Sequence, residues 1–161
     1  MKVVFRPISP EDNPAIAHLL RAVLVEMGVP KVGTAYADPE LDYLYEAYQK
    51  PRAAYYVVEC DGDIMGGAGI APLAGEDPAI CEFQKMYFHP KARGKGWGST
   101  MIDKCLDFAK ENEFNLCYIE TLPNMKAAQK LYRRKGFDYI DHAMGATGHT
   151  SCNVWLTKSL L

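Results

Sequence analysis

A surplus of positive charge is missing from this sequence: 18 Lys and Arg stand against 20 Asp and Glu, a formal charge of −2. A surface built to coat nucleic acid or an anionic bilayer needs the opposite balance, so neither partner is expected. Long apolar runs are missing too. No segment approaches the roughly 18 apolar residues of a membrane span, and Met1-Lys2-Val3-Val4-Phe5-Arg6-Pro7 holds no apolar stretch of signal-peptide length. A cytoplasmic address is the expectation from these absences. Cys60, Cys81, Cys105, Cys117 and Cys152 are odd in number and scattered, with no Cys-x-x-Cys or Cys/His spacing. That predicts reduced, mostly buried thiols and no metal site. No repeat of fixed period and no low-complexity tract is present.

What is there is an ordinary globular composition, 48% hydrophobic and 24% charged, in 161 residues. A chain of that size can bury about two thirds of the surface its unfolded form exposes, so residues 1–161 read as a single domain. Val3 to Arg6 is a short strand. Ser9-Pro10-Glu11-Asp12 has the pattern of a capping box with proline at the first helical position, and Ile16, Leu19, Leu20, Val23, Leu24 and Met27 follow at helical spacing up to Gly28. Asp38-Pro39 announces a second helix, with Leu41, Leu44, Tyr45 and Tyr48 on one stripe.

From Ala54 the period changes. Tyr55 to Cys60, the dipeptide Asp61-Gly62 and Ile64 to Ile70 form a predicted hairpin with a tight turn. The glycines of its second strand mark a bulge or a close approach by another backbone or a ligand. Ile80 to Phe88 is the next strand, and a glycine-rich loop follows it directly. A helix from about Ser99, a buried strand from Asn115 to Thr121, a helix starting at Asn124, and strands near Phe137–Met144 and Cys152–Thr157 complete the order. The economical arrangement is an α/β fold: one mixed sheet with helices on both faces.

The glycine loop is Arg93-Gly94-Lys95-Gly96-Trp97-Gly98, lying between a strand and a helix. Successive backbone N–H groups at a helix N-terminus make a concave anion site, and glycine lets a phosphate approach without a Cβ in the way. Arg93 and Lys95 add positive charge, and an arginine can pair two N–H groups with phosphate oxygens. A phosphate loop of the Gly-x-x-x-x-Gly-Lys-Ser/Thr type does not fit, and a dinucleotide fingerprint needs glycine where Ser99 stands. A pyrophosphate lying on the backbone from Gly94 to Ser99 is the ligand expected.

The pattern Arg-x-x-Gly-x-Gly resembles the acyl-CoA motif of the GCN5-related N-acetyltransferase (GNAT) family. The segment Asn124-x-x-Ala127-Ala128-x-x-Leu131-Tyr132-x-x-x-Gly136-Phe137 is similar to that family's second signature, which runs from an Asn through Ala and Tyr to Gly-Phe. Two motifs in this order are far more specific than one. The resemblance covers roughly residues 3 to 158 in element order and is strongest from Glu82 to Phe137. It implies a GNAT-like fold: a mostly antiparallel mixed sheet in which one parallel strand pair, Ile80–Phe88 and Asn115–Thr121, splays apart to hold acetyl-CoA. Met86, Tyr87 and Phe88 would then hold the pantetheine and polarise the thioester carbonyl, with Asn124 on the pantetheine arm.

Transfer from a thioester to an amine needs a proton removed from nitrogen and one delivered to the departing thiolate. The resemblance places Tyr132 at the general-acid position. Glu82, eleven residues before Arg93, matches the glutamate base of the histone-acetylating branch, acting directly or through water. Without the resemblance, Tyr132 reads as a packing residue and Glu82 as a strand glutamate in a surface pair. Glu120 is a second carboxylate on the other splayed strand, and His149 and Cys152 sit in a Gly/Thr-rich loop bordering the acceptor side. Tyr36, Tyr43, Tyr45 and Tyr48 line that side or simply pack. The activity implied is acetyl transfer to a primary amine of a small molecule, amino acid or polyamine. Alternatives are an acyl-CoA-binding sensor without turnover and an enzyme acting on protein N-termini or lysines. Homodimers are frequent in the family.

Overall fold

Val57 and Val58 are adjacent in one strand, both fully buried, and they belong to different cores. A strand, whose side chains alternate between faces, does this only when both faces of its sheet are covered. The computed structural model, which describes residues 1–161, shows how. Seven strands, β1 Val3–Pro7, β2 Ala54–Cys60, β3 Asp63–Pro72, β4 Ile80–Phe88, β5 Leu116–Thr121, β6 Asp138–Ile140 and β7 Val154–Ser159, form one sheet in the order β1-β2-β3-β4-β5-β7-β6. Every neighbouring pair is antiparallel except β4 with β5. Helix α1, Asn13–Glu26, buries Ile16, Leu19, Leu20 and Val23 on one face together with Val57 and Tyr55. Helix α3, Trp97–Glu111, buries Met101, Ile102, Cys105 and Leu106 on the other, with Val58, Phe83 and Cys117. The short helices α2, Leu44–Ala47, and α4, Lys126–Arg134, complete the set. No helix is long and apolar enough to cross a membrane.

The hairpin between β2 and β3 turns at Asp61 (φ 51°) and Gly62 (φ 90°), the pair of left-handed residues that a two-residue turn of matching twist requires. The glycines of β3 do accommodate a close approach, but by aromatic side chains. A Cβ on Gly67 would stand 2.5 Å from the Tyr55 ring, and one on Gly69 would stand 2.7 Å from the Tyr48 hydroxyl. The bulge expected in β3 is present at Met65, between the pairs Val58–Gly66 and Glu59–Ile64, and the facing strand β4 carries another. Gly67 pairs with Tyr87 and Gly69 with Gln84, so Ala68 opposes both Lys85 and Met86. Lys85 takes φ 54°, and the extra residue bends β4 near its middle.

Several boundaries differ from the sequence reading. The chain after Ser9 begins as a 3-10 turn, Pro10–Asp12, in which the Ser9 N–H donates to the Asp12 carboxylate at 2.7 Å; regular α-helix starts at Asn13. The predicted second helix is a 3-10 segment, Pro39–Tyr43, joined to the single α-helical turn of α2, because Tyr43 leaves the helical region at φ −131°, ψ 44°. Helix α3 starts two residues earlier than expected, at Trp97. Helix α4 starts at Lys126 rather than Asn124, since Met125 (ψ 56°) is not helical. Strand β6 is only three residues long, and residues 141–153 form a loop.

Candidate active site

Strands β4 and β5 pair at Ile80–Leu116, Cys81–Cys117 and Glu82–Tyr118, and the pairing stops there. Beyond Glu82 the strands part, and a groove of about 410 Å³ opens between them. Its walls include Phe83 to Phe88 without Gln84, Ile119 to Thr121, the glycine loop, and Asn124 to Ala128. The bulge at Lys85 lies in that wall, so the bend in β4 and the opening of the groove share one segment.

At the groove's end, Gly94 (φ 76°) and Gly96 (φ 79°) are left-handed and have no atom within 4 Å of where a Cβ would sit. Open space over two such residues, at the N-terminus of a 15-residue helix, fits a phosphate group held by backbone N–H donors. Gly98 serves packing instead, since a Cβ there would lie 2.9 Å from Leu131 Cδ2. The motif's side chains divide in their roles. Trp97 is buried, with its ring edge-on to Phe5 at 6.4 Å. Ser99 lines the groove, whereas Lys95 is exposed and stands off its wall. Arg93, expected on the pyrophosphate, places its guanidinium on both oxygens of Glu26 (2.7 and 2.8 Å) and on the Phe88 carbonyl (3.1 and 3.2 Å). It ties the end of α1 to the end of β4. Asn124 lines the groove and donates from Nδ2 to the Met27 carbonyl at 2.8 Å, a second link to the same helix end. Lys126 and Arg134 are additional cations on the groove, unmarked by either sequence motif. Met86, Tyr87 and Phe88 form its β4 wall.

Tyr132 stands on α4 against Phe83 (6.0 Å) and Phe137 (6.1 Å) and also lines the groove. Burial, then the neighbouring Tyr87 and Cys117, push its phenol above the ordinary range, so it stays protonated at neutral pH. The packing expected of Tyr132 is present, and the same position lines the groove, where the general-acid reading requires it.

Glu82 is 5% exposed and sits at the last paired position before the strands part. Burial, opposed by a 2.6 Å hydrogen bond from Gln84 Nε2 and reinforced by the nearby Glu120, raises its carboxyl to about 7. It faces a second cavity of about 50 Å³, shared with Gln84, Lys85, Glu120, His149 and Cys152. The reading of Glu82 as a surface pair is therefore excluded by its burial. Glu120 accepts from Tyr118 Oη at 2.9 Å and from Thr147 Oγ1, and lies 3.2 Å from His149 Nδ1. Lys85 Nζ is 2.7 Å from Glu40 and 3.9 Å from Asp38.

Lys85, Gln84, Asp38 and Glu40 were not legible as site residues. Lys85 arrives there only through the bulge, and Asp38 and Glu40 come from a segment whose outward signal was helix initiation. Of the early tyrosines, Tyr48 packs in the α1 core with its hydroxyl bonded to Gln84 Oε1. Tyr36 and Tyr43 border a shallow surface groove with Arg21 instead. The five cysteines are unpaired, with Cys81, Cys105 and Cys117 buried. No group of three or more His, Cys, Asp or Glu side chains is arranged to hold a metal ion.

Residues 19–137 match the model of the acetyltransferase (GNAT) family. Over 158 residues the chain is 46% identical to the uncharacterized N-acetyltransferase YjgM of Escherichia coli K12, covering 98% of this chain and 95% of the relative. Human N-acetylaspartate synthetase is 30% identical over 116 residues, 72% of this chain but 35% of that protein. Among solved structures, a GNAT-family acetyltransferase of Staphylococcus aureus Mu50 superposes with a TM-score of 0.87 at 17% identity, covering 99% of this chain and 100% of that one. YncA of Salmonella typhimurium, solved with its cofactor acetyl-CoA, gives 0.78 at 19% identity, over 99% and 94% of the two chains. The structural pair shows the fold, into which this chain's seven-stranded mixed sheet with helices falls. With the family match over most of the chain and a nearly full-length relative that is an N-acetyltransferase, the chain belongs to the acetyltransferase (GNAT) family and is an acetyl-CoA-dependent N-acetyltransferase.

Proposed function

We propose that the protein transfers the acetyl group of acetyl-CoA by direct attack to the primary amine of a small molecule, amino acid or polyamine. Glu82 is the base, directly or through water, and Tyr132 is the acid. The observation that carries this reading is the placement of Glu82: a buried carboxyl with its pKa at about 7, at the fork where the groove meets the small cavity. A general base works best when its pKa lies near the operating pH, because it is then both deprotonated and basic enough to accept.

The groove suits acetyl-CoA on this chain's own geometry. The open cradle over Gly94 and Gly96 would hold the pyrophosphate, and Met86 to Phe88 with Asn124 would flank the pantetheine. Bound there, acetyl-CoA supplies a carbon already activated for acyl transfer. Glu82 takes the proton that the attacking nitrogen must lose. Tyr132, protonated and inside the groove, donates a proton to the thiolate as the carbon–sulfur bond breaks and the carbon–nitrogen bond forms.

The second cavity, at about 50 Å³, favours a small acceptor. Its lining carries Glu82 and Glu120 with the cations Lys85 and His149, and behind those cations stand Glu40 and Asp38, so that the surroundings as a whole hold more carboxylates than cations and favour a positively charged amine. The test is a panel of amines, amino acids and polyamines with acetyl-CoA, following thiol release and the mass of the acetylated product. An N-acetylated small amine formed in step with thiol supports the reading. Acetyl-CoA binding without thiol release from any acceptor contradicts it and leaves a cofactor-binding sensor.

A further inference from the structure

The loop of residues 141–153 between β6 and β7 returns across the acceptor side, tied down by Ala146 N–H on the Ala74 carbonyl (2.7 Å), Ser151 N–H on the Gly33 carbonyl (2.9 Å) and Thr147 on Glu120, and between these ties by the ring of His149. His149 Nε2 is 2.8 Å from Asp38 Oδ2, and Nδ1 is 3.2 Å from Glu120 Oε1. A neutral imidazole has a single N–H and can donate to only one of two carboxylates; a carboxylate at each nitrogen calls for both protons. Burial opposes that charge, but the hydrogen bonds to Asp38 and Glu120 outweigh it and hold His149 up to about 9. The ring thus joins the segment before the Pro39 turn, strand β5 and its own loop.

The same ring distinguishes the two buried carboxyls. Glu120 has a cation beside it and two hydroxyl donors, Tyr118 and Thr147. Glu82 has one neutral donor, Gln84. When two carboxyls share a low-dielectric site, ionising both is costly, and Glu82 is raised in part by Glu120. We propose that His149 is a positioning residue of the transfer reaction: its doubly bonded imidazolium ties this loop to Asp38 and Glu120 and engages the Glu120 carboxylate, leaving Glu82 as the carboxyl that exchanges the proton. The proposal rests on the assignment of Glu82 as base.

Glu82 is faced by Glu120, Tyr118 and Cys117 of β5, by Lys85 of its own strand, by Tyr48 at the end of α2 and by His149. His149 is faced by Asp38, Glu120 and Glu82; burial and the same carboxylates push up the Cys152 thiol of its own loop, and Glu40 stands behind Asp38 on Lys85. Of the cations acting on Glu82, Lys85 acts more strongly than His149 but is paired with Glu40, whereas the imidazolium is the one that also stands on Glu120.

His149→Gln keeps a polar side chain and removes the charge, whereas His149→Lys keeps a charge and loses the ring. The readout is the pH profile of kcat/KM for amine acetylation by the full chain. In His149→Gln the midpoint of the acid limb should move upward by about 1 pH unit, the shift a nearby charge typically imposes, lowering kcat/KM at pH 7 about fivefold with the KM for acetyl-CoA unchanged. His149→Lys should restore the midpoint in part. Asp38→Asn, which leaves the ring and loop in place, should move it the same way by less, and decides the matter if His149→Gln does not fold. Profiles of His149→Gln and Asp38→Asn that superimpose on wild type overturn the proposal. Glu82→Gln in the same assay separates the two ideas: an acid limb that survives there means the Glu82 assignment has failed, whereas a limb lost in Glu82→Gln but unmoved in the His149 variants overturns the role of His149 alone.

Discussion

Glu82→Gln should make the protein more stable and far less active, and the size of the first effect follows from burial. Glutamine keeps the length of the side chain and an acceptor oxygen for Gln84, and removes the titration. In the folded chain, burial and then the charge of Glu120, against the hydrogen bond from Gln84, raise the carboxyl from 4.5 to about 7. Between those values the folded protein holds a proton that the unfolded chain has lost. Stability therefore falls as pH rises through that window, and the deficit is complete above about pH 7. At about 1.4 kcal/mol per pH unit the deficit is about 3 kcal/mol. Denaturant melts of wild type and Glu82→Gln should accordingly agree near pH 4.5 and separate by about 3 kcal/mol at pH 8, with the variant more stable. The acetylation rate should fall by about 10²- to 10⁴-fold, the usual worth of a general base, and the acid limb of the profile should vanish. A stability difference that is the same at both pH values, or a wild-type rate with its acid limb intact, refutes the reasoning.

Tyr132→Phe keeps the ring contacts with Phe83 and Phe137, so kcat should drop by about 10²- to 10⁴-fold with acetyl-CoA affinity and melting temperature near wild type; an unchanged single-turnover rate makes Tyr132 a packing residue only. Gly96→Asp puts a side chain at φ 79° and a carboxylate over the phosphate cradle; calorimetry should show weaker acetyl-CoA and CoA binding, and affinities for both unchanged from wild type contradict the cradle. Gly67→Ala would drive a methyl to 2.5 Å from the buried Tyr55 ring, at a cost of about 1–3 kcal/mol in a denaturant melt; a neutral change would show that Tyr55 is free to move. His149, held up to about 9 from 6.5, contributes stability that is fully present below 6.5 and lost as pH rises through 9; the alkaline decline in melting temperature should shrink in His149→Gln.

The groove was largely readable because its signals are local. A strand, three alternating glycines and an amphipathic helix lie within one stretch of chain, and each rests on backbone rules that operate over a few residues. Asp61-Gly62 was legible for the same reason. The acceptor side was not, because its bonds span the chain: His149 meets Asp38 across 111 residues, and Arg93 meets Glu26 across 67. Arg93 illustrates the limit, since the motif marks an arginine beside a phosphate site while its guanidinium binds the end of α1. Lys85 fails differently. A lysine with positive φ violates the period-two reading of β4, and only the pairing of Gly67 and Gly69 with Tyr87 and Gln84 reveals it. The Asp38-Pro39 start was real but short, because helix signals do not report where a tyrosine will leave the helical region.

Direct transfer makes one prediction that no binding or folding measurement can imitate. Protein mixed rapidly with radiolabelled acetyl-CoA and an acceptor amine, then quenched over a single turnover, should show label appearing on the amine at the rate at which free thiol appears, with none on the protein. Intact mass after incubation with acetyl-CoA alone should likewise be unchanged. Label that accumulates on the protein first and passes to the amine afterwards would contradict direct attack assisted by Glu82.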